Sequence, residues 1–292
     1  MKNKVIKFGV GDHVIYYGDV IKCFRKVSDN SVDLVFADPP YNIGKDFDGI
    51  SDTYDETEYK KWMKEWTYQI DRVLKPNGTV YLMNSTQNFA DMDLICRKYF
   101  TVLSRIVWAY DSSGVQAKKK FGSSWEPILH MVKNEKHYTF NHKEIMVEAK
   151  TGSKRKLIDY RKTPPQPYNT KKVPSNVWDF SRVRFKMDEY ENHPTQKPVK
   201  LLERIILASS NEKDVVLDPF GGSFTTGEVS KRLNRKFIGF DLNIEYVKIG
   251  IRRMNIESPF SEEELEKKKV KKTKNKSKRD HTQNQDLFEN QS

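Results

Sequence analysis

The stretch "DVVLDPFGGSFTTGEVSKRLNRKFIGFDLN", residues 214–243, decides the fold. An apolar run that ends near Asp218 leads into a glycine turn, a helix-like segment and a second apolar run that ends at Asp241. Nearly continuous apolar runs are typical of strands buried in a parallel sheet, and short strand–helix–strand connections are typical of α/β folds. The stretch therefore predicts one unit of a doubly wound sheet.

The same alternation extends over most of the chain. Apolar runs predict strands at 13–19, 32–38, 79–84, 104–110, 127–133, 214–220 and 236–241. Helical patterns lie between them at 20–27, 57–74, 87–99, 198–210, 224–233 and 243–254. We predict an α/β fold with a mostly parallel, seven-stranded, doubly wound Rossmann-like sheet. Since ligands collect at the carboxyl ends of parallel strands, four acids are expected at one edge, namely Asp19, Asp38, Asp218 and Asp241.

Composition restricts the class of protein. Hydrophobic residues make up 37% and charged residues 32% of the 292 residues, which is typical of a globular protein. No apolar stretch approaches the roughly 20 residues of a membrane helix, and the N-terminus has no secretory signal pattern. Cys23 and Cys96 lie far apart, which favours neither a disulfide framework nor a zinc site. We therefore expect a cytoplasmic protein that needs no metal and meets no membrane.

Positive charge is concentrated in the middle of the chain. The net charge is +12, and residues 141–200 hold fourteen Lys and Arg against seven Asp and Glu, whereas the tail from Ser258 holds nine against seven. Such a concentration indicates phosphate binding, although a merely solvated basic surface is the alternative. Residues 137–192 lack periodicity and are predicted to be a loop-rich insertion. The basic tail, 258–292, is expected to be disordered after an initial helical turn or two.

The segment "FADPPYNIG", residues 36–44, ends a predicted strand in a stiff turn. The Asp38 carboxylate and the Pro39 carbonyl can both accept hydrogen bonds there, and an exocyclic NH₂ group needs two acceptors in its plane. Tyr41 could stack on the ring that carries this amine. Taken alone, the tetrapeptide could equally be an ordinary turn.

The glycine turn at 221–222 favours a nucleotide-like ligand, because free N–H groups at a helix start face polar or negative groups. It lacks the GxGxxG and Gly-Lys-Ser/Thr patterns and is weak evidence by itself. Asp241 is suited to accept bonds from both ribose hydroxyls, or it is a plain N-cap acid. Because phenylalanine adopts a positive φ only at a cost, we expect the turn to finish within Gly221 and Gly222, with Phe224 packing inward.

Four motifs in combination resemble the S-adenosylmethionine-dependent amino methyltransferases of DNA. They are "DPPY" at 38–41, "NHPTQKP" at 192–198, "DPFGGSFTTGE" at 218–228 and "FIGFD" at 237–241. The catalytic motif precedes the cofactor loop, as in the β group of that family, and the resemblance covers residues 13–255. One departure is that the family's Gly-Ser-Gly loop reads Gly222-Ser223-Phe224 here.

The resemblance implies a role for each matching residue. The catalytic residues would be Asp38, Pro39, Pro40 and Tyr41. The residues that bind S-adenosylmethionine would be Asp19, Thr195, Lys197, Asp218, Phe220, Gly222, Ser223, Thr225 and Asp241. The implied organisation is a catalytic half at 1–136, a target-recognition region at 137–192 and a cofactor-binding half at 193–257. The tail at 258–292 lies outside the family's domain.

By this resemblance the substrate is double-stranded DNA, with methyl transfer to N6 of a flipped adenine at a specific site. Cytosine N4 is the nearest alternative, although Asp before Pro-Pro-Tyr favours adenine. Cytosine C5 chemistry is set aside because neither cysteine follows a proline, and known protein or RNA amine methyltransferases place the motifs in the reverse order. A non-catalytic DNA-binding protein on the same scaffold is the alternative from another class.

Eight cations are candidate DNA contacts: Lys118, Lys119, Lys120, Lys154, Arg155, Lys156, Arg161 and Arg184. Most such cations meet phosphates, which position a protein on DNA without specifying sequence. The family also leaves open a homodimer, and a cognate restriction endonuclease that acts on the same site in a restriction–modification system.

Overall fold

The computed structural model describes residues 4–47, 50–111, 118–119, 121–149 and 156–266. The helices are α1 Val20–Phe24, α2 Glu56–Val73, α3 Phe89–Cys96, α4 Val199–Ser209, α5 Thr225–Arg232, α6 Ile244–Met254 and α7 Glu262–Leu265. The longer strands are β2 His13–Tyr17, β3 Val32–Ala37, β6 Leu74–Met83, β7 Thr101–Ala109, β8 Trp125–Val132, β14 Val215–Asp218 and β15 Lys236–Asp241. The short strands are β1 Ile6–Phe8, β4 Asp46–Phe47, β5 Ile50–Ser51, β9 Val147–Glu148, β10 Ile158–Asp159, β11 Gln166–Pro167, β12 Lys171–Lys172 and β13 Val177–Asp179.

One nine-stranded sheet organises the described chain, in the order β1-β2-β15-β14-β3-β6-β8-β7-β13. The five strands that follow one another in the sheet as β2-β15-β14-β3-β6 all pair in parallel. Strand β8 is antiparallel to both of its neighbours, β6 and β7. The predicted fold class is confirmed, and the seven predicted strands are all present. The two further strands, β1 and β13, are three-residue additions at the edges of the sheet.

The strand order reverses between β14 and β3. These strands pair in parallel, yet the chain continues from β3 toward β6 on one side and from β14 toward β15 on the other. In open α/β sheets a crevice forms at the carboxyl ends of the strands at such a reversal. Asp38 directly follows β3 and Asp218 ends β14, so the crevice lies between the two motifs.

Helices cover both faces of the sheet. On one face, α2 buries Tyr59, Met63, Trp66 and Ile70, which recur at helical spacing and pack in one hydrophobic cluster with both cysteines. On the other face, α4, α5 and α6 pack in a second cluster. Both cysteine thiols are free and buried within the first cluster.

Phe224 corrects one prediction. It precedes α5 with φ 53° and ψ 33°, in the left-handed region, so the turn does not finish within Gly221 and Gly222 as expected. A left-handed backbone costs an L-residue about 1–2 kcal/mol. The inward packing is confirmed, because the buried ring lies where Cβ atoms on Gly221, Gly239 and Gly250 would be. Burying a phenylalanine is worth about 1.5–3 kcal/mol, which offsets the strained backbone.

Residues 137–192 contain little regular structure in their described part. Two small antiparallel pairs form there, β9 with β12 and β10 with β11, while β13 joins the main sheet beside β7. At the other end of the described chain, a capping box at Ser261 starts α7, and Phe260 packs 5.5 Å from Phe8. The remainder of the tail, 267–292, lies outside the described residues. No helix in the described segments is both long and apolar enough to span a bilayer.

Candidate active site

The turn after β3 is held by hydrogen bonds from side chains of neighbouring elements. The Tyr59 hydroxyl, on α2, donates to the Pro40 carbonyl at 2.7 Å, and Asn84 Nδ2 donates to the same hydroxyl at 3.2 Å. Asn88 Nδ2 donates to the Tyr41 carbonyl at 2.6 Å. Because the carbonyls of Pro40 and Tyr41 are both bound, the turn has a defined orientation before any ligand arrives.

Asp38 lies in a buried cluster of charged groups. Its Oδ1 accepts from the Tyr41 hydroxyl at 2.6 Å, and its Oδ2 lies 2.7 Å from Lys197 Nζ. Glu126, at the start of β8, places Oε2 3.0 Å from the Tyr41 hydroxyl and 3.5 Å from Lys197 Nζ. The side chains of Lys197, Glu126 and Asp38 are only 7%, 14% and 15% exposed. We call Asp38, Tyr41, Glu126 and Lys197 the acid–lysine cluster.

Burial and charge act against each other in this cluster. Burial raises the pKa of Asp38, and Glu126 raises it further, while Lys197 opposes both. Burial would also raise the pKa of Glu126, but Lys197 and the Tyr41 hydroxyl outweigh it and lower that pKa. Burial acts to lower the pKa of Lys197, but the two carboxylates outweigh it and raise the pKa, so the ammonium stays charged. The pKa values of the two carboxyls are thus shifted in opposite directions, upward for Asp38 and downward for Glu126.

The opposite wall of the crevice carries the other two acids. Asp218 accepts from the Thr226 hydroxyl at 2.6 Å and from the Phe220 N–H at 3.0 Å. Asp241 accepts from the N–H groups of Gly222 at 2.8 Å and Asn243 at 2.7 Å. Burial raises the pKa of Asp218 and of Asp241 to about 7, although these hydrogen bonds lower it.

The loop at 192–198 closes this wall of the crevice. The Thr195 N–H donates to His193 Nδ1 at 3.3 Å, which leaves the proton of the neutral imidazole on Nε2. Gly222 has φ 51°, and a Cβ there would lie 2.9 Å from His193 Nε2, so the glycine permits the close approach. Burial lowers the pKa of His193 to about 3, which keeps the ring neutral.

The remaining residues of the glycine loop are also ordered. The hydroxyls of Ser223 and Thr225 lie 3.1 Å apart, and Arg253 Nη1 donates to the Ser223 carbonyl at 2.7 Å. The Phe220 ring packs 5.6 Å from that of Trp62. Asp19 caps α1 by accepting from the Lys22 N–H at 3.2 Å.

A single cavity of about 740 Å³ joins both walls. Every residue that the sequence assigned to the catalytic turn or to the cofactor loop lines it: Asp19, Asp38, Pro39, Pro40, Tyr41, Thr195, Lys197, Asp218, Phe220, Gly222, Ser223, Thr225 and Asp241. The predicted convergence of the four acids at one sheet edge is thus observed. In the described part of the chain, no three His, Cys, Asp or Glu side chains are grouped as metal ligands.

Among the lining residues that were not predicted from the sequence are Glu126, Tyr110 and Arg182. Glu126 and Tyr110 meet through a hydrogen bond of 3.2 Å, and Arg182 stacks 4.9 Å above the Tyr110 ring. The available signal was the acid in "SWEPILHMVK", where a glutamate interrupts the start of an otherwise apolar strand. An ionisable residue at such a position costs folding free energy unless it is paired.

The candidate DNA-binding cations have different surroundings. Lys118, Lys119 and Lys156 are exposed, and Arg161 pairs with Asp159 at 2.8 Å while remaining 79% exposed. Arg184 is exposed and its Nη2 donates to the Asp111 carbonyl at 3.2 Å. Lys120, Lys154 and Arg155 lie outside the described residues.

The fold and the crevice are those of a Rossmann-like methyltransferase. A family model described as "DNA methylase" matches residues 32–252, which is most of the chain. The chain therefore belongs to the DNA methylase family, and the resemblance inferred from its motifs is confirmed.

Curated relatives agree with this membership. The chain is 60% identical over 273 residues to DNA adenine methyltransferase YhdJ of Escherichia coli K12, covering 94% of this chain and 93% of the relative. It is 37% identical over 250 residues to type II methyltransferase M.HpaI of Haemophilus parainfluenzae, covering 84% of this chain and 75% of the relative.

Solved structures share the fold at low identity. PvuII DNA methyltransferase, titled cytosine-N4-specific, superposes with a TM-score of 0.66 at 20% identity and covers 90% of this chain and 94% of its own. The M1.HpyAVI–SAM complex superposes with a TM-score of 0.58 at 24% identity, over 82% of this chain and 98% of its own. At these identities the similarity establishes the fold.

Proposed function

We propose that this protein transfers a methyl group from S-adenosylmethionine to the N6 amine of adenine in double-stranded DNA, at a specific sequence. The proposal rests on one observation, that two walls face each other across one cavity. The Asp38-Pro39 turn lies on one wall, and the Asp218 and Asp241 carboxylates lie on the other. The 60% identical relative, named a DNA adenine methyltransferase, supports adenine as the base.

Asp38 and the Pro39 carbonyl are the proposed acceptors for the two hydrogens of the amine. The described residues donate no hydrogen bond to the Pro39 carbonyl, so that acceptor is free for a ligand. Two fixed acceptors in the plane of the base leave the nitrogen lone pair directed out of that plane. The Tyr41 ring would stack on the base, which in single-strand binders is worth about 1–3 kcal/mol per base and offsets part of the cost of flipping.

The cofactor wall fits S-adenosylmethionine by the chemistry of its donors and acceptors. When bound, S-adenosylmethionine supplies an electrophilic methyl group on a sulfonium centre. Asp218 offers a carboxylate to its cationic methionine end, Asp241 offers two oxygens to the ribose hydroxyls, and Asp19 faces the adenine. Gly222, Phe220, Ser223, Thr225 and Thr195 complete the wall. Catalysis would come mainly from alignment of amine and methyl group in a cavity from which water is excluded.

DNA recognition is proposed for residues 137–192, between the catalytic half at 1–136 and the cofactor-binding half at 193–257. The exposed cations Lys118, Lys119 and Lys156 suit phosphate contacts. The relative named as a type II methyltransferase supports a role in restriction–modification, with a solitary modification enzyme as the other option. A homodimer and a cognate endonuclease belong to this proposal as partners, and a DNA substrate favours the cytoplasm as location.

Cytosine-N4 methylation is the second candidate, since the structure of PvuII DNA methyltransferase shares the fold and a cytosine also carries an exocyclic amine. Incubation of the purified protein with unmethylated DNA and S-adenosylmethionine, followed by modified-base sequencing, distinguishes the two. We expect N6-methyladenine at one recognition sequence. N4-methylcytosine as the product would contradict the assignment of the base.

Asp38→Ala tests the catalytic assignment, with calorimetry of cofactor binding as the control for an intact second wall. We expect the variant to bind S-adenosylmethionine and DNA but to transfer no methyl group. Asp33→Asn is the matched control, because Asp33 pairs with Lys75 at 2.8 Å outside the cavity. Full activity of the Asp38 variant would overturn the mechanism, and a wild-type protein that binds DNA without methylating it would indicate the non-catalytic alternative.

A further inference from the structure

The Tyr41 hydroxyl has one proton and two carboxylate acceptors. Asp38 Oδ1 lies at 2.6 Å and Glu126 Oε2 at 3.0 Å. A hydroxyl donates its proton fully to only one acceptor at a time. In the free protein the shorter bond goes to Asp38, the residue that the proposed function requires as an acceptor for the target amine. The Tyr41 hydroxyl therefore competes with the substrate for Asp38.

We propose that Glu126 is a positioning residue that receives the Tyr41 hydroxyl when Asp38 engages the target amine. This inference rests on the proposed function. Transfer of the hydrogen bond from Asp38 to Glu126 leaves Asp38 Oδ1 as a full acceptor for the amine. It also keeps the Tyr41 ring tethered at its hydroxyl end while the ring packs on the base.

The surroundings of Glu126 support this role over a purely structural one. Its side-chain partners are Tyr41, Tyr110 and Lys197, and all three line the same cavity as Glu126. The strand that carries it, β8, is already held by backbone pairing with β6 and β7. The Glu126 side chain adds nothing to this backbone pairing, and a buried acid costs folding free energy unless it is well paired, so the pairing of the sheet does not explain it.

Because of Lys197, the transfer of the Tyr41 hydrogen bond from Asp38 to Glu126 is electrostatically neutral. Its ammonium lies 2.7 Å from Asp38 Oδ2 and 3.5 Å from Glu126 Oε2, so it contacts both acceptors between which the hydroxyl would move. The phenolic proton stays on Tyr41 throughout, because burial and the two carboxylates raise the pKa of that hydroxyl well above its usual value. No charge is created and no covalent bond changes when the hydrogen bond moves.

Two substitutions separate the hydrogen bond from the charge. Glu126→Ala removes both, whereas Glu126→Gln keeps an acceptor oxygen and removes the charge. We expect Glu126→Ala to lower kcat for DNA methylation about 10- to 100-fold, the size expected for one hydrogen bond to a charged group. Glu126→Gln should lose less, and both variants should bind S-adenosylmethionine as the wild type does.

The pH profile of kcat provides a readout that a general loss of structure would not move. The charged and titratable groups around Glu126 are Lys197, Tyr41, Arg182, Tyr110, Asp38 and Lys45. Because the Glu126 charge raises the pKa of Asp38, either substitution should lower that pKa and shift the acid limb of the profile to lower pH. The control Asp33→Asn removes a partly buried carboxylate outside the cavity and should leave the limb in place.

The inference is overturned if Glu126→Ala keeps the wild-type kcat. It is also overturned if both Glu126 variants lose kcat with an unmoved acid limb, as a general loss of structure would produce. Urea unfolding of all variants identifies such a loss, and Glu126→Gln, with nearly unchanged volume, keeps the test valid if the alanine variant does not fold. A wild-type protein that methylates no DNA would instead remove the proposed function, so the two failures are distinct.

Discussion

Lys197 Nζ lies 2.7 Å from Asp38 Oδ2, and the two side chains are only 7% and 15% exposed. Lys197 ends the loop before α4, whereas Asp38 follows β3 in the catalytic half. The ion pair therefore links the "NHPTQKP" segment to the catalytic turn. By family resemblance Lys197 was expected to help close the cofactor pocket. It lines that cavity, but its closest charged partner is the catalytic acid.

Lys197→Met should impair catalysis through Asp38. Without the ammonium, Asp38 and Glu126 would share a buried site without the cation that pairs with both, and the pKa of Asp38 would rise because Lys197 normally opposes burial. Asp38 would then lose its charge at a higher pH than in the wild type. We expect a lower kcat and an acid limb moved to higher pH, the opposite direction from the Glu126 variants.

The control for this variant is Lys75→Met, which removes the lysine that pairs with Asp33 outside the cavity. It should leave the pH profile of kcat unchanged. An acid limb that stays in place in Lys197→Met would show that the pair does not set the ionisation of Asp38.

The affinity for S-adenosylmethionine should rise as the pH increases from 6 to 8. The pKa values of Asp218 and Asp241 are about 7 because both are buried, so each acid is mostly protonated at pH 6 and mostly ionised at pH 8. S-adenosylmethionine is cationic and favours the ionised acids. Its binding must therefore release protons from Asp218 and Asp241 below about pH 7. Affinity should rise about tenfold per acid between pH 6 and 8, since each pKa unit corresponds to a factor of ten in the ionisation constant.

Calorimetry in two buffers of different ionisation enthalpy measures this proton release directly. Asp218→Asn and Asp241→Asn should each remove part of the pH dependence as well as weakening binding. Asp33→Asn should leave both unchanged. A pH-independent affinity in the wild type would show that the two acids are already ionised in the free protein.

The sheet and the position of the cavity were predictable because both depend on local patterns. Apolar runs of four to eight residues predicted the buried strands, and the aspartates that follow these runs indicated which edge of the sheet would bind a ligand. The edge strand β1 was not predicted, because three residues are too few to show a periodicity.

The roles of Glu126 and Arg182 were not predicted, for a different reason. Their importance depends on which side chains they meet across the cavity, and no spacing along the chain reports such a contact. Phe224 shows the same limit at the level of the backbone. Its local preference against a positive φ was overridden by the three glycines that leave room for its ring. Two of these glycines, Gly239 on β15 and Gly250 on α6, are distant from the turn along the chain although they lie beside the ring in space.

Phe224→Ala should destabilise the fold and disturb the cofactor wall together. The ring is fully buried among Gly221, Gly239 and Gly250, so truncation opens a cavity that the backbone cannot readily close. A buried phenylalanine truncated to alanine costs about 3–5 kcal/mol of unfolding free energy. Since the left-handed backbone then has nothing to offset it, the loop at Gly222 should relax and affinity for S-adenosylmethionine should fall.

Urea unfolding and cofactor calorimetry measure the two effects. Phe237→Leu is the comparison, because Phe237 packs against Phe224 in the same cluster but has an ordinary strand backbone. It should lose stability with little loss of cofactor affinity. Equal cofactor affinity in Phe224→Ala and the wild type would show that the turn geometry does not depend on the ring.

Neutralising a basic stretch tests the proposed DNA-contacting region. The triple substitution K154Q/R155Q/K156Q removes three adjacent cations from residues 141–200, which hold fourteen Lys and Arg against seven Asp and Glu. If all three contact phosphates, the slope of log K against log salt concentration should become shallower by about 0.9 per contact, up to about 2.7 in total.

Lys61→Gln with Lys64→Gln, on the exposed face of α2, is the control and should leave the slope unchanged. Fluorescence anisotropy with a duplex over a series of salt concentrations gives both slopes. An unchanged slope in the triple variant would exclude phosphate contacts from this stretch, and equal losses of affinity on specific and random duplexes would show contacts that position the protein without reading sequence.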